Sequence, residues 1–232
     1  MHLVDTESMI GALKFRLSSR RHIPIIYYEG NSAIAPFISD REWYPYQFTS
    51  VAKTVLEARK WQVANDGVRI EHRKFGLVLL PSHAAILAHE WSVWKRAYVP
   101  VSVNGKIVLD IGAGCGETAY LYFRNGARKI ICVEPDPKAV ECLSENAARH
   151  SWNVEVVPEI FNLDMLQQYR FDFMKMDGEG CEKDLLELNE LPTSSIIESH
   201  SLQLTSALMR QFGGTIVARL SPEISLLQIT GE

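Results

Sequence analysis

Lys175, Asp177 and Glu179 stand at alternate positions in the last third of the chain, with His200 further on. In an extended segment a period of two puts all three on one face. A carboxylate or an imidazole beside a substrate hydroxyl can remove its proton, and a nearby ammonium keeps carboxylates ionised by lowering their pKa values. On type and position Glu179 is the first candidate base and His200 the second. Lys175 is their partner, and Asp177 faces the reacting centre. A second constellation precedes them: Asp110, then Gly112-Ala113-Gly114-Cys115-Gly116, and Glu134 further on. Glycines at 112, 114 and 116 let the backbone turn sharply and let a ligand approach without a Cβ in the way. Glu134 can accept both hydroxyls of an unphosphorylated ribose. The two groups describe a nucleoside site beside a proton-removing cluster.

Such residues work only if secondary structure holds them. Ile107 to Leu109 is short, apolar and β-branched, which predicts a buried strand ending at Asp110. A helix is expected from about Glu117 to Asn125, stopped by Asn125-Gly126, and a second strand from Lys129 to Val133 ending on Glu134. Strand, glycine loop, helix, strand and acid form a crossover unit with its ligand site at the mouth, where helix N–H groups favour a negative group. Beyond it the pattern predicts a helix over Lys138 to His150 and strands over 154–157, 171–177 and 195–198. A helix over 182–188, another over 201–212, and a closing antiparallel pair over 215–220 and 224–229 complete the series. Between 158 and 170 a loop is expected. The whole reads as an α/β Rossmann-like fold with a mostly parallel seven-stranded sheet.

A nicotinamide fingerprint has the spacing G-x-G-x-x-G, whereas this loop has G-x-G-x-G directly after Asp110; an NAD-binding unit stands as the alternative. Asp-x-Gly-x-Gly-x-Gly resembles the first motif of class I S-adenosylmethionine-dependent methyltransferases. That resemblance implies S-adenosylmethionine as cofactor, held by Asp110, Gly112, Ala113, Gly114, Gly116 and Thr118. Glu134 and Pro135 would lie at its ribose, Glu159 and Ile160 at its adenine, and Asp177 at the methyl group. Phe173 to Glu182, FMKMDGEGCE, is similar to the K-x-D-x-E-G-x-E signature of FkbM-type methyltransferases, and Ile197-Glu198-Ser199-His200 to the strand that follows it. The resemblance covers roughly residues 65–230 and implies O-methylation of a sugar or small molecule bearing a hydroxyl. Two positions depart from the family pattern: Gly114 stands where Asn is common, and Gly178 replaces an aliphatic residue.

Residues 1–100 read as an N-terminal extension over the acceptor side, and 101–232 as the cofactor-binding domain. The extension comprises an irregular arm over 1–48, a helix over about 48–64, a small hairpin over 68–80 and a helix through about Tyr98. Trp91, Trp94 and Tyr98 are expected as core. Net charge is −4, but residues 1–109 hold 14 Lys/Arg against 9 Asp/Glu and residues 110–199 hold 8 against 17. The basic front half lacks the density of a nucleic-acid surface; an RNA methyltransferase and a non-catalytic cofactor-binding protein are the alternative functions. No apolar run has transmembrane length, and the N-terminus is a poor signal peptide, so the chain reads as cytoplasmic. Cys115, Cys132, Cys142 and Cys181 show no metal-ligand spacing and read as reduced thiols. Asp177 and Glu179 are of a type that binds hard cations, yet no metal is assigned.

Overall fold

A computed structural model describes residues 102–230 without a break, and before them 27–29, 32–36, 43–46, 61–63, 69–72, 74–80, 83–84, 87 and 94–99. The chain divides into two units, Met1–His89 and Glu90–Glu232.

In the first unit, β1 (Tyr27–Glu29), β2 (Ser32–Pro36) and β3 (Trp43–Tyr46) form an antiparallel sheet. A second sheet joins β4 (Trp61–Val63), β5 (Ile70–His72) and β6 (Leu77–Leu79). The hairpin expected over 68–80 is the β5–β6 pair. The helix expected over 48–64 is corrected at its end: Trp61 to Val63 pair with Ile70 to His72 as a strand. There the alternation of Trp61 and Val63, one aromatic and one β-branched, decides over helical spacing. The rest of that helix, most of the arm over 1–48, and Trp91 lie outside the described residues. Residues 83, 84, 87 and 94–97 are helical, as expected.

The second unit is built on a seven-stranded sheet. Its strands are β7 (Ile107–Ile111), β8 (Lys129–Val133), β9 (Val154–Val157), β10 (Phe173–Met176), β11 (Ser195–Ser199), β12 (Thr215–Arg219) and β13 (Ser225–Ile229). They run in the order β12-β13-β11-β10-β7-β8-β9. The pairs from β9 to β11 are parallel, and β13 is antiparallel to both its neighbours. This is a Rossmann-like α/β sheet, closed by an antiparallel hairpin. Parallel strands covered on both faces should read as apolar runs, and Leu109, Ile111, Ile131, Val133, Met174, Met176 and Ile197 are all buried in one core.

The helices are α1 (Glu117–Arg124), α2 (Pro137–His150), the short α3 (Met165–Gln168), and α4 (Leu202–Phe212), with a 3-10 helix over Cys181–Glu187. Asp136 caps α2 by accepting the Lys138 N–H at 3.0 Å, with Pro137 at the first helical position. Ser201 caps α4 by accepting the Leu204 N–H at 3.1 Å. Two expectations change. The helix placed over 182–188 is a 3-10 helix one residue earlier, and the loop placed over 158–170 contains α3. Four residues are too few to show a helical period in sequence.

Sheet order reverses at β7. The chain steps outward from β7 to β8 and β9, then returns to β10 on the other side. In open α/β sheets the crevice at the carboxyl ends beside such a reversal is where ligands bind. Asp110, the glycine loop, Glu134 and Asp177 all fall there.

Candidate active site

β7 delivers the chain into Gly112, whose φ is +68°. A Cβ built on Gly112 would lie 1.7 Å from the carbonyl oxygen of Asp177, so no other residue fits where the two strand ends approach. Gly114 has φ +57° and Gly116 φ +92°. Asn tolerates the left-handed region better than most residues, which accounts for Gly114 at a position where the resembling family carries Asn. The N–H groups of Gly112 and Ala113 donate to the Val133 carbonyl at 2.9 and 3.2 Å, tying the loop to the end of β8.

Glu134 follows at once and is buried. Its Oε2 accepts the Gly114 N–H at 2.8 Å and its Oε1 the Asp136 N–H at 2.9 Å. Each carboxylate oxygen has a further lone pair, so the group is fixed in place and still able to accept hydroxyls. Pro135 beside it is exposed. Past the end of β9, Glu159 is exposed and Ile160 is 74% exposed, a large apolar side chain open to solvent. Asp110 and Thr118 point inward instead. Both are buried, and the Thr118 hydroxyl donates to Asp110 Oδ2 at 2.6 Å.

Lys175 interrupts the apolar β10 and is 1% exposed. Register explains its partner, because Lys175 lies opposite Asp110 across the parallel pair. Lys175 Nζ is 3.3 Å from Asp110 Oδ1 and 3.7 Å from Asp177 Oδ2. It donates to the carbonyls of Gly112 at 2.7 Å and Ile111 at 3.2 Å, and lies 5.8 Å from the centre of the Tyr98 ring. Burial disfavours the ammonium, but the carboxylates of Asp110, Asp177 and Glu198 outweigh it and hold Lys175 above its ordinary range. Burial raises the Asp110 carboxyl to about 6 against the pull of Lys175 and Thr118. Burial raises Asp177 as well, opposed by Lys175 and His200.

Past β10 the chain turns through Gly178-Glu179-Gly180. A Cβ on Gly178 would meet Cys181 Sγ at 2.0 Å, so the thiol fills the space where the family pattern has an aliphatic side chain. Glu179 has φ +53°, and its side chain is 74% exposed. A non-glycine residue in that region is strained by roughly 1–3 kcal/mol, a feature that gathers at functional sites. Glu182 is fully buried and accepts the N–H groups of Gly178 at 2.7 Å and Gly180 at 2.9 Å, which pins the turn.

His200, just past β11, stands among four carboxylates. Its Nε2 is 3.5 Å from Asp177 Oδ1, 3.6 Å from Glu198 Oε1 and 3.7 Å from Glu179 Oε2, while Nδ1 is 3.5 Å from Glu182 Oε1. Burial works against protonation, but Glu182, Asp177 and Glu198 override it and raise the imidazole to about 9. Burial would also raise Glu182, yet the His200 ring and the backbone N–H groups hold it below its ordinary range. Glu198 is fixed from the other side, accepting the buried Tyr98 hydroxyl at Oε2.

No protein-family model matches the chain. Over 95 residues it is 30% identical to Uncharacterized protein 158B of Sulfolobus islandicus rod-shaped virus 1, covering 41% of this chain and 60% of that one. Over 107 residues it is 31% identical to the electron transfer flavoprotein beta subunit lysine methyltransferase of Mus musculus, covering 45% of this chain and 41% of that one. The chain thus spans less than two thirds of the length of these relatives. Among solved structures, the wild-type Trm5b of Pyrococcus abyssi is similar over 98% of this chain and 70% of its own, at 17% identity and a TM-score of 0.49. The 16S rRNA N2 G1207 methyltransferase (RsmC) of T. thermophilus, in complex with AdoMet and guanosine, is similar over 63% and 42%, at 19% identity and a TM-score of 0.48.

The structure brings Lys175, Asp177, Glu179 and His200 into one cluster at the carboxyl ends of β10 and β11. Three further members carry no site role in the sequence reading. Glu182 lies inside the quoted signature and reads there only as pattern. Glu198 is found by register: Met176 pairs with Ile197, and one step on sets Asp177 beside Glu198. Tyr98 is core, as expected, but its hydroxyl also holds Glu198, and nothing in its surrounding sequence signals that.

Proposed function

We propose that this chain is an S-adenosylmethionine-dependent methyltransferase that methylates a hydroxyl oxygen, in the manner of the FkbM-type enzymes its sequence resembles. The observation that carries the reading is Glu134, locked between the N–H groups of Gly114 and Asp136 at the crevice, with the Asp177-Glu179-His200 cluster on the neighbouring strand ends.

The residues fit the cofactor. Glu134 offers lone pairs to two ribose hydroxyls, Ile160 an apolar surface to the adenine, and the glycine loop a close backbone approach. Acids near the crevice favour a cationic donor. Bound there, S-adenosylmethionine would supply a sulfonium methyl, whose C–S bond would break as the C–O bond forms, with sulfur keeping the electron pair. Alignment of donor and acceptor then supplies most of the acceleration. Glu179 is the base that takes the hydroxyl proton, since its side chain is open and lies past β10. With no cation bound beside it, His200 carries its own proton at neutral pH and orients the carboxylates around it. Lys175 and Asp110 position the strand ends and touch no substrate.

A second reading is favoured by the same carboxylates: four acids around one imidazole also suit an amine acceptor, and the murine relative is named for a lysine. Methyl-labelled S-adenosylmethionine, offered with hydroxyl-bearing small molecules, sugars and amine substrates, separates the two. Label in a hydroxyl product, reduced about 10²–10⁴-fold in Glu179→Gln, supports the proposal. Label only in amines overturns the hydroxyl assignment, and no label in any acceptor overturns the enzyme reading.

A further inference from the structure

His200 Nε2 has three carboxylate oxygens around it at 3.5, 3.6 and 3.7 Å, from Asp177, Glu198 and Glu179. All three separations exceed the usual range of a charged N–H···O hydrogen bond, about 2.7–2.9 Å. They match a different geometry. Donor atoms held about 2.0–2.2 Å from a common ion in tetrahedral array stand roughly 3.4 Å apart. One donor atom each from Asp177, Glu198 and His200 lies within 4.8 Å of the others, so small side-chain rotations close the set around one centre.

Two further observations point the same way. Asp177 Oδ1 is buried without a hydrogen-bond partner, although buried polar atoms in proteins are almost always satisfied. Asp177 Oδ1 is the very oxygen that faces His200 Nε2. The surroundings are also those of a metal site. Glu182 lies against the other ring nitrogen, 3.5 Å from Nδ1, and is itself held by the Gly178 and Gly180 N–H groups. A carboxylate behind a ligating histidine fixes its tautomer and raises its basicity. Tyr98 fixes Glu198 through Oε2 and leaves Oε1 turned toward His200.

We infer that Asp177, Glu198 and His200 form a binding site for one divalent metal ion of the zinc or manganese type, with Glu182 as the support behind His200. Mixed nitrogen and carboxylate donors suit these ions, whereas magnesium and calcium prefer all-oxygen sets. Three protein ligands leave a position open, and Glu179 stands at its edge. A role for the ion in polarising the acceptor hydroxyl rests on the methyl-transfer reading above; the site itself does not.

The test is binding to the full chain after stripping with a chelator, with no methyl donor or acceptor present. Free Mn²⁺ is followed by electron paramagnetic resonance, and Zn²⁺ by competition with a chromogenic chelator. One equivalent should bind, with affinity reduced at least roughly tenfold in Glu198→Gln, His200→Gln and Asp177→Asn, and by a similar factor in Glu182→Gln. Zn²⁺ should also raise the melting temperature of the parent and not of His200→Gln, which reports binding even for a variant that folds poorly. No stoichiometric binding by the parent would overturn the site, as would equal affinity across the variants. Chelator-resistant methyl transfer by a parent that binds no metal would sink this inference and leave the methyltransferase reading intact. Metal binding without methyl transfer would do the reverse.

Discussion

Replacing Lys175 by Met removes the ammonium that Asp110 and Asp177 share across β7 and β10. Truncating one partner of a buried ion pair costs about 3–5 kcal/mol, because it strands the other charge. Part of that cost is independent of pH: the Gly112 and Ile111 carbonyls lose their lysine donor. The rest titrates with Asp110. Its rise from 3.8 to about 6 in the folded protein is worth about 3 kcal/mol. A carboxyl raised on folding contributes stability below its unfolded pKa and loses it as pH climbs through the folded value, here about 6. Without Lys175 the carboxyl is pushed higher still, so the loss continues above pH 6. Urea unfolding of parent and Lys175→Met at pH 5 and pH 8 measures the difference. The deficit should be about 3–5 kcal/mol at pH 8 and clearly smaller at pH 5, with unchanged slope. A deficit under about 1 kcal/mol at pH 8 would refute Lys175 as the pin of the strand ends. An equal deficit at both values would show that the carbonyls alone need it.

Gly112→Ala should be severely destabilising, since its Cβ would overlap the Asp177 carbonyl, whereas Gly105→Ala, with φ +73° and open space, should cost only the left-handed strain of about 1–2 kcal/mol; thermal unfolding compares them. Gly178→Ala should lose stability through the clash with Cys181 Sγ, and Cys181→Ala should restore part of it in the double variant, a coupling that a double-mutant cycle reads directly.

The parallel core was legible because each of its strands is an apolar run bounded by a turn. Lys129 to Val133 and Val154 to Val157 occupy the ranges expected of them. Lys175 was legible for the same reason: a charge in such a run demands a partner. The short elements were not. Residues 61–63 follow pairing with β5, which a local pattern does not contain, and α3 is a single turn. The site was half legible. Asp110, the glycines and Glu134 form one contiguous pattern, whereas Tyr98 reaches Glu198 across a hundred residues of sequence. Glu182 stands in plain view beside Glu179, yet only the fold shows that it holds the turn and backs His200.

We propose that the Asp110–Gly116 loop and Glu134 hold S-adenosylmethionine. Calorimetric titration of parent and Glu134→Ala with S-adenosylmethionine and its demethylated product tests it most directly. Each ribose hydrogen bond lost from a buried site is worth about 1–3 kcal/mol, so the variant should bind at least roughly tenfold more weakly than the parent. Unchanged affinity in Glu134→Ala, or a parent that prefers NAD to S-adenosylmethionine, would rule out this binding mode.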